Sequence, residues 1–77
     1  MMTVYQFRRE LRQRFLAARG LRPLLEIQTE IGLSMPTLAA FVHGKPVTTS
    51  TLETIERWVV REESHEAVVP LHGHLEL

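Results

Sequence analysis

The sequence predicts an all-α fold, a compact four-helix bundle followed by an extended C-terminal arm. Three observations predict it. Apolar residues recur at steps of three and four along most of the chain, hydroxyl residues stand where several of these runs begin, and glycines stand where they stop. The 77 residues make one domain at most, small enough that only about 60% of its surface is buried on folding. The division expected is a domain over residues 1–63 and a tail over 64–77.

Each element follows from local chemistry. Thr3 and Gln6 match a capping box, in which hydroxyl and amide satisfy each other's backbone donors. Val4, Phe7, Leu11, Phe15 and Ala18 then lie on one helix face, and Gly20 ends that helix. Pro23 fits the first turn of a second helix, where its missing N–H costs nothing. Leu24, Ile27 and Ile31 form the apolar face of that helix, and Gly32 stops it. Ser34 caps a third helix, with Pro36 in its first turn and Leu38, Phe41 and Val42 inward; Gly44 closes it. Ser50 and Glu53 suggest a second capping box, opening a fourth helix with Leu52, Ile55, Trp58 and Val59 inward. That helix is expected to fade near Glu63-Ser64.

The tail, SHEAVVPLHGHLEL, is apolar for a solvated end. Val68, Val69, Leu71, Leu75 and Leu77 suit a strand or arm laid against a second subunit. A small hairpin turning at His72-Gly73 is the alternative, with Pro70 confining its first arm to an edge. The arm is preferred, because an isolated hairpin is marginal in water.

Composition narrows the function. There is no cysteine, hence no disulfide and no thiolate metal site. Association with a second copy is one way for so small a core to gain burial. No apolar run approaches the roughly 20 residues of a membrane span. The opening MMTVYQFRRELR lacks an apolar h-region and a small-residue cleavage site, so a cytoplasmic location is expected. No Gly-rich phosphate loop or justified Ser/His/Asp set points to an enzyme, and no cofactor is implied. His72-x-His74 could chelate a metal if held in a strand, but without an acidic or thiol partner in a fixed geometry it reads as a polar tail.

Charge is neutral in total but segregated. Residues 1–22 hold Arg8, Arg9, Arg12, Arg14, Arg19 and Arg22 against Glu10, a balance of +5. Residues 23–52 hold Glu26, Glu30 and Lys45, a balance of −1. Residues 53–77 hold six glutamates against Arg57 and Arg61, a balance of −4. A neutral total works against binding a polyanion, whereas a basic end with an acidic one turned away favours it. A solvated arginine-rich helix face explains the same feature.

Two short helices joined across Gly32-Leu33-Ser34 have the arrangement of a helix-turn-helix. Gly32 supplies a positive φ, Leu33 points back to the core, and Ser34 caps the incoming helix. In longer register, EIGLSMPTLAAFVHGKPVTTSTLETIERWV resembles the phage repressor and Cro family, the XRE-type helix-turn-helix domains. Gly32, Leu33, Ser34, Thr37, Leu38, Gly44, Lys45, Thr51, Leu52 and Ile55 fall in its pattern, and the resemblance covers residues 21–60. Two positions depart from it. Gln28 stands where the family has alanine between the paired helices, and Leu24 stands where it often has a phosphate-holding glutamine.

The resemblance implies a transcriptional regulator, of the kind of a phage-type repressor, that binds an operator in double-stranded DNA as a homodimer. Helix three would enter the major groove, with Ser34, Met35, Pro36, Thr37, Ala40 and His43 at the DNA and Arg22, Lys45 and helix N-termini on phosphates. Met35 and Ala40 cannot hydrogen-bond a base but can pack on a thymine methyl. Each bidentate contact that is missing gives up roughly 1–3 kcal/mol of discrimination. Specificity would then come from methyl contacts, half-site spacing and DNA shape. The alternative uses the same small apolar surface to hold a regulatory protein, as an antirepressor or antitoxin does.

Overall fold

A computed structural model of the chain describes the backbone of residues 3–75 and the side chains of residues 3–64. Four helices follow in order: α1 (Val4–Arg19), α2 (Leu24–Ile31), α3 (Met35–Val42) and α4 (Thr49–Leu75). Among the described residues there is no strand. No helix among them is long and apolar enough to cross a membrane.

The starts and stops are local. The Thr3 hydroxyl accepts from the Gln6 N–H at 3.1 Å, and the Gln6 side-chain oxygen accepts from the Thr3 N–H at 2.9 Å. This is the capping box that the sequence predicts. Gly20 closes α1, its N–H donating to the Leu16 carbonyl at 3.2 Å. Pro23 stands one residue before α2, not inside its first turn, and its carbonyl accepts from the N–H groups of Glu26 and Ile27. A residue with no N–H and a fixed φ suits that entry as well as the first turn. Gly32 ends α2 at φ 82°, in the left-handed region.

Ser34 caps α3, with Pro36 in the first turn. The start of α4 differs from the expected Ser50–Glu53 box. Thr48 is the capping side chain, its hydroxyl accepting from the Thr51 N–H at 3.2 Å while its carbonyl accepts from Leu52. Thr48 offers the same hydroxyl two residues earlier, so capping there gains two further helical residues.

The core takes residues from every helix. Leu11 and Phe15 of α1, Ile27 and Ile31 of α2, Leu38 and Phe41 of α3, and Leu52, Ile55, Trp58 and Val59 of α4 are all buried. Phe7, Ala18, Leu24, Leu33 and Val42 pack against them. Phe15 lies between two rings, edge-on to Phe41 at 5.6 Å and tilted against Trp58 at 5.3 Å. It thereby joins α1 to both α3 and α4. Val4 departs from the expected inward stripe: it is exposed, because the packed face of α1 begins a turn later at Phe7.

The end of α4 also differs from the expectation. The backbone continues as helix to Leu75, whereas the sequence predicts a helix fading near Glu63-Ser64 and an extended arm beyond it. Nothing from Ser64 to Val69 stops a helix, so the chain holds no physical cause for a break before Pro70. The side chains assigned to the arm, Val68, Val69, Leu71 and Leu75, and those of His72 and His74, lie outside the described residues, as does Leu77.

A Cβ added at Gly32 would meet nothing within 4 Å. The cost of Gly32→Ala is therefore that of the left-handed backbone alone, about 1–2 kcal/mol. Urea unfolding should show that loss, with Gly32→Asn recovering part of it.

Candidate functional site

The expected site centres on α3. With Leu38 and Phe41 buried, the opposite side of this eight-residue helix faces outward. Ser34, Pro36, His43 and Lys45 are exposed; Met35, Thr37 and Ala40 are half-buried. The Ser34 hydroxyl accepts from the Thr37 N–H at 3.4 Å and donates to the Thr37 hydroxyl at 2.9 Å. The two hydroxyls thus stiffen the first turn of α3 and retain lone pairs toward solvent.

Gln28, the departure from the family's alanine, has a position of its own. Its side-chain amide donates to the Leu33 carbonyl at 2.9 Å. A carbonyl in the turn between α2 and α3 is thereby satisfied. The residue ties the turn from the α2 side, a use that periodicity alone does not reveal.

The structure sorts the arginines of the basic end into two sets. Arg14 makes a two-pronged pair with Glu63, at 3.0 and 2.7 Å. Arg22 reaches three carboxylates: Glu30 at 2.9 Å, Glu62 at 3.2 Å and Glu26 at 3.8 Å. Its guanidinium also lies over the Trp58 ring at 5.6 Å, and the Trp58 indole N–H donates to Glu30 at 3.1 Å. Arg19 donates to the Arg22 carbonyl. Arg22, expected on a phosphate, is thus placed inside an acidic cluster that joins the α1–α2 connection to α2 and α4. A phosphate would have to displace carboxylates to reach it.

The other set stands elsewhere. Arg8, Arg9 and Arg12, with Tyr5, line an open groove of about 200 Å³ completed by Phe41, Gly44 and Lys45. Arg12 donates from Nε to the Val42 carbonyl at 2.7 Å, satisfying an end carbonyl of α3 and fixing its own fork. Among the described residues, no carboxylate lies within 4.0 Å of Arg8, Arg9, Arg12 or Lys45. Of the expected site residues, Lys45 alone lines this groove; Ser34, Met35, Pro36, Thr37 and Ala40 belong to the outward side and first turns of α3. Tyr5, Arg8, Arg9 and Arg12 were absent from the expected site. The sequence did carry a signal for them, since Tyr5, Arg8, Arg9 and Arg12 repeat at helical steps along one face.

Among the described residues, no three His, Cys, Asp or Glu side chains gather as metal ligands. No protein-family model, curated protein or solved structure matches the chain.

The hydrogen bond from Arg14 holds the Glu63 carboxyl below the usual carboxylate range. Its stabilisation is therefore present above the unfolded carboxylate pKa and is lost as pH falls through the lower, folded value. Both side chains are more than a third exposed, so the pair contributes less than about 1 kcal/mol. Glu63→Gln should lower unfolding stability slightly at neutral pH, and the difference from the parent protein should close in acid.

Proposed function

We propose that this chain is a helix-turn-helix DNA-binding regulator that reads duplex DNA with the outward side of α3. One observation carries the reading. Two eight-residue helices meet across a three-residue turn with a left-handed Gly32, and the second of them turns its exposed side away from the core. The resemblance of residues 21–60 to the phage repressor and Cro family supports the same assignment.

In this mechanism the start of α3 enters the major groove. The exposed Ser34 and Pro36, with Thr37 and Met35 beside them, approach base edges. Thr37 supplies a hydroxyl or a methyl, and Met35 and Ala40 supply apolar contacts suited to thymine methyls. Lys45, just past the end of α3, holds a phosphate. Two copies bound as a homodimer would place two such helices about 34 Å apart on one face of the duplex. Bound over a promoter, the dimer would block polymerase.

A second reading rests on a specific observation. The outward side of α3 offers Met35, Pro36 and Ala40 and no guanidinium or carboxamide, a surface that another protein could also cover. Pro36→Glu separates the two. Position 36 is exposed and lies in the first turn of α3, where a carboxylate is favourable to the helix. The variant should stay folded by circular dichroism and lose duplex binding in a fluorescence anisotropy titration, because a carboxylate would face the groove without a cation. Unchanged DNA affinity together with lost association to a protein partner would make α3 a protein-binding face.

Lys45→Ala should weaken cognate and random duplex about equally and flatten the salt slope by about one unit. A loss confined to the cognate site would mean that Lys45 reads bases.

A further inference from the structure

We propose that the groove between the first half of α1 and the end of α3 binds phosphate, and that its ligand is the sugar-phosphate backbone of duplex DNA at the wall of the major groove. The proposal rests on the reading of α3 as the recognition helix. It adds a second element, α1, to the interface, and it rests on three independent observations.

The first is charge. Arg8, Arg9, Arg12 and Lys45 face one groove, and among the described residues no carboxylate lies within 4.0 Å of any of them. The carboxylates Glu26, Glu30, Glu62 and Glu63 are instead gathered around Arg14 and Arg22. Four like charges around one concavity focus a positive potential that an anion relieves. Arg12 is held by its Nε bond to Val42, which leaves its terminal nitrogens for a second acceptor. The exposed phenol of Tyr5 adds a donor at the same place.

The second is size. The groove holds about 200 Å³, below the roughly 300 Å³ at which pockets begin to enclose small molecules. It fits a charged group carried by something larger, which favours a polymer's phosphates over a free metabolite.

The third is length. Eight residues make α3 about 12 Å long, close to the roughly 12 Å width of the major groove. With the start of α3 over base edges, its far end reaches the flanking backbone. That end carries Gly44, Lys45 and the arginines of α1.

The test uses the full chain and the double variant Arg8→Gln/Arg9→Gln, with Arg57→Gln/Arg61→Gln on α4 as a control of equal charge change. Anisotropy titrations with duplex DNA are run at several salt concentrations. Each lost phosphate contact removes about 0.9 from the salt slope. The groove variant should therefore bind more weakly at low salt on any sequence, with the slope lowered by about two units. Its affinity should approach that of the parent about tenfold between roughly 50 and 200 mM salt. The control should keep the parent slope. Equal losses in both variants would mean general charge attraction and overturn the groove. Parent-like binding by the groove variant would also overturn it, while leaving the reading of α3 intact. If the parent chain binds no duplex, the reading of α3 fails together with the DNA ligand. A ¹⁵N–¹H titration with inorganic pyrophosphate then decides the groove alone. Shifts confined to Tyr5, Arg8, Arg9, Arg12, Gly44 and Lys45 would uphold a phosphate site, and their absence would overturn it.

Discussion

The Phe15 ring, held between Phe41 and Trp58, ties three of the four helices together. It is the point where α1, α3 and α4 share one apolar centre, and all three rings are buried. An aromatic pair contributes about 0.5–1.5 kcal/mol beyond the burial of its area, whereas an exposed ion pair contributes about 0–1 kcal/mol. In a domain this small the ring cluster therefore outweighs the charged network around it. The orientation of α3 follows from it, because packing Leu38 and Phe41 inward turns Pro36 outward.

Charge then completes what the rings position. Arg22 lies over Trp58 and gathers Glu26, Glu30 and Glu62, while the indole of the same Trp58 donates to Glu30. One buried ring thus has a polar edge satisfied by the cluster that ties α2 and the α1–α2 connection to α4. Arg14 with Glu63 adds a tie between α1 and α4. The consequence for α1 is a division along its length. Toward its end Arg14 is neutralised by Glu63 of α4, and nearer its start Arg8, Arg9 and Arg12 line a groove beside the end of α3. A chain of zero net charge can in this way carry a strongly positive surface.

The outward side of α3 and the groove have complementary chemistry. The first is small, apolar and hydroxyl-bearing, suited to shape and methyl contacts; the second is cationic, suited to phosphates. In the proposed regulator, affinity would come chiefly from the groove and Lys45, and discrimination from the weaker contacts of α3. That balance fits a protein whose site preference depends on paired half-sites and on duplex shape more than on individual base edges.

Local chemistry along the chain is enough to specify the four helices and nearly all of the core. Capping and stop signals are local chemistry, and Leu11, Phe15, Ile27, Ile31, Leu38, Phe41, Leu52, Ile55, Trp58 and Val59 declare their burial by helical spacing. It left small errors where two nearby residues carry the same chemistry, as with Thr48 and Ser50 at the start of α4. It also ended α4 at a place where no residue stops a helix. The use of each charge was not legible in it. Glu62 and Glu63 lie 40 and more residues from Arg22 and Arg14, so no local pattern pairs them. The same six arginines read as one basic stretch until packing brings carboxylates to Arg14 and Arg22. Gln28 likewise read as a departure from a pattern, and only the path of the turn gives it Leu33 as a partner. Periodicity is a property of neighbours along the chain, whereas partnership is a property of distance in space, and that distance is decided by the tertiary fold.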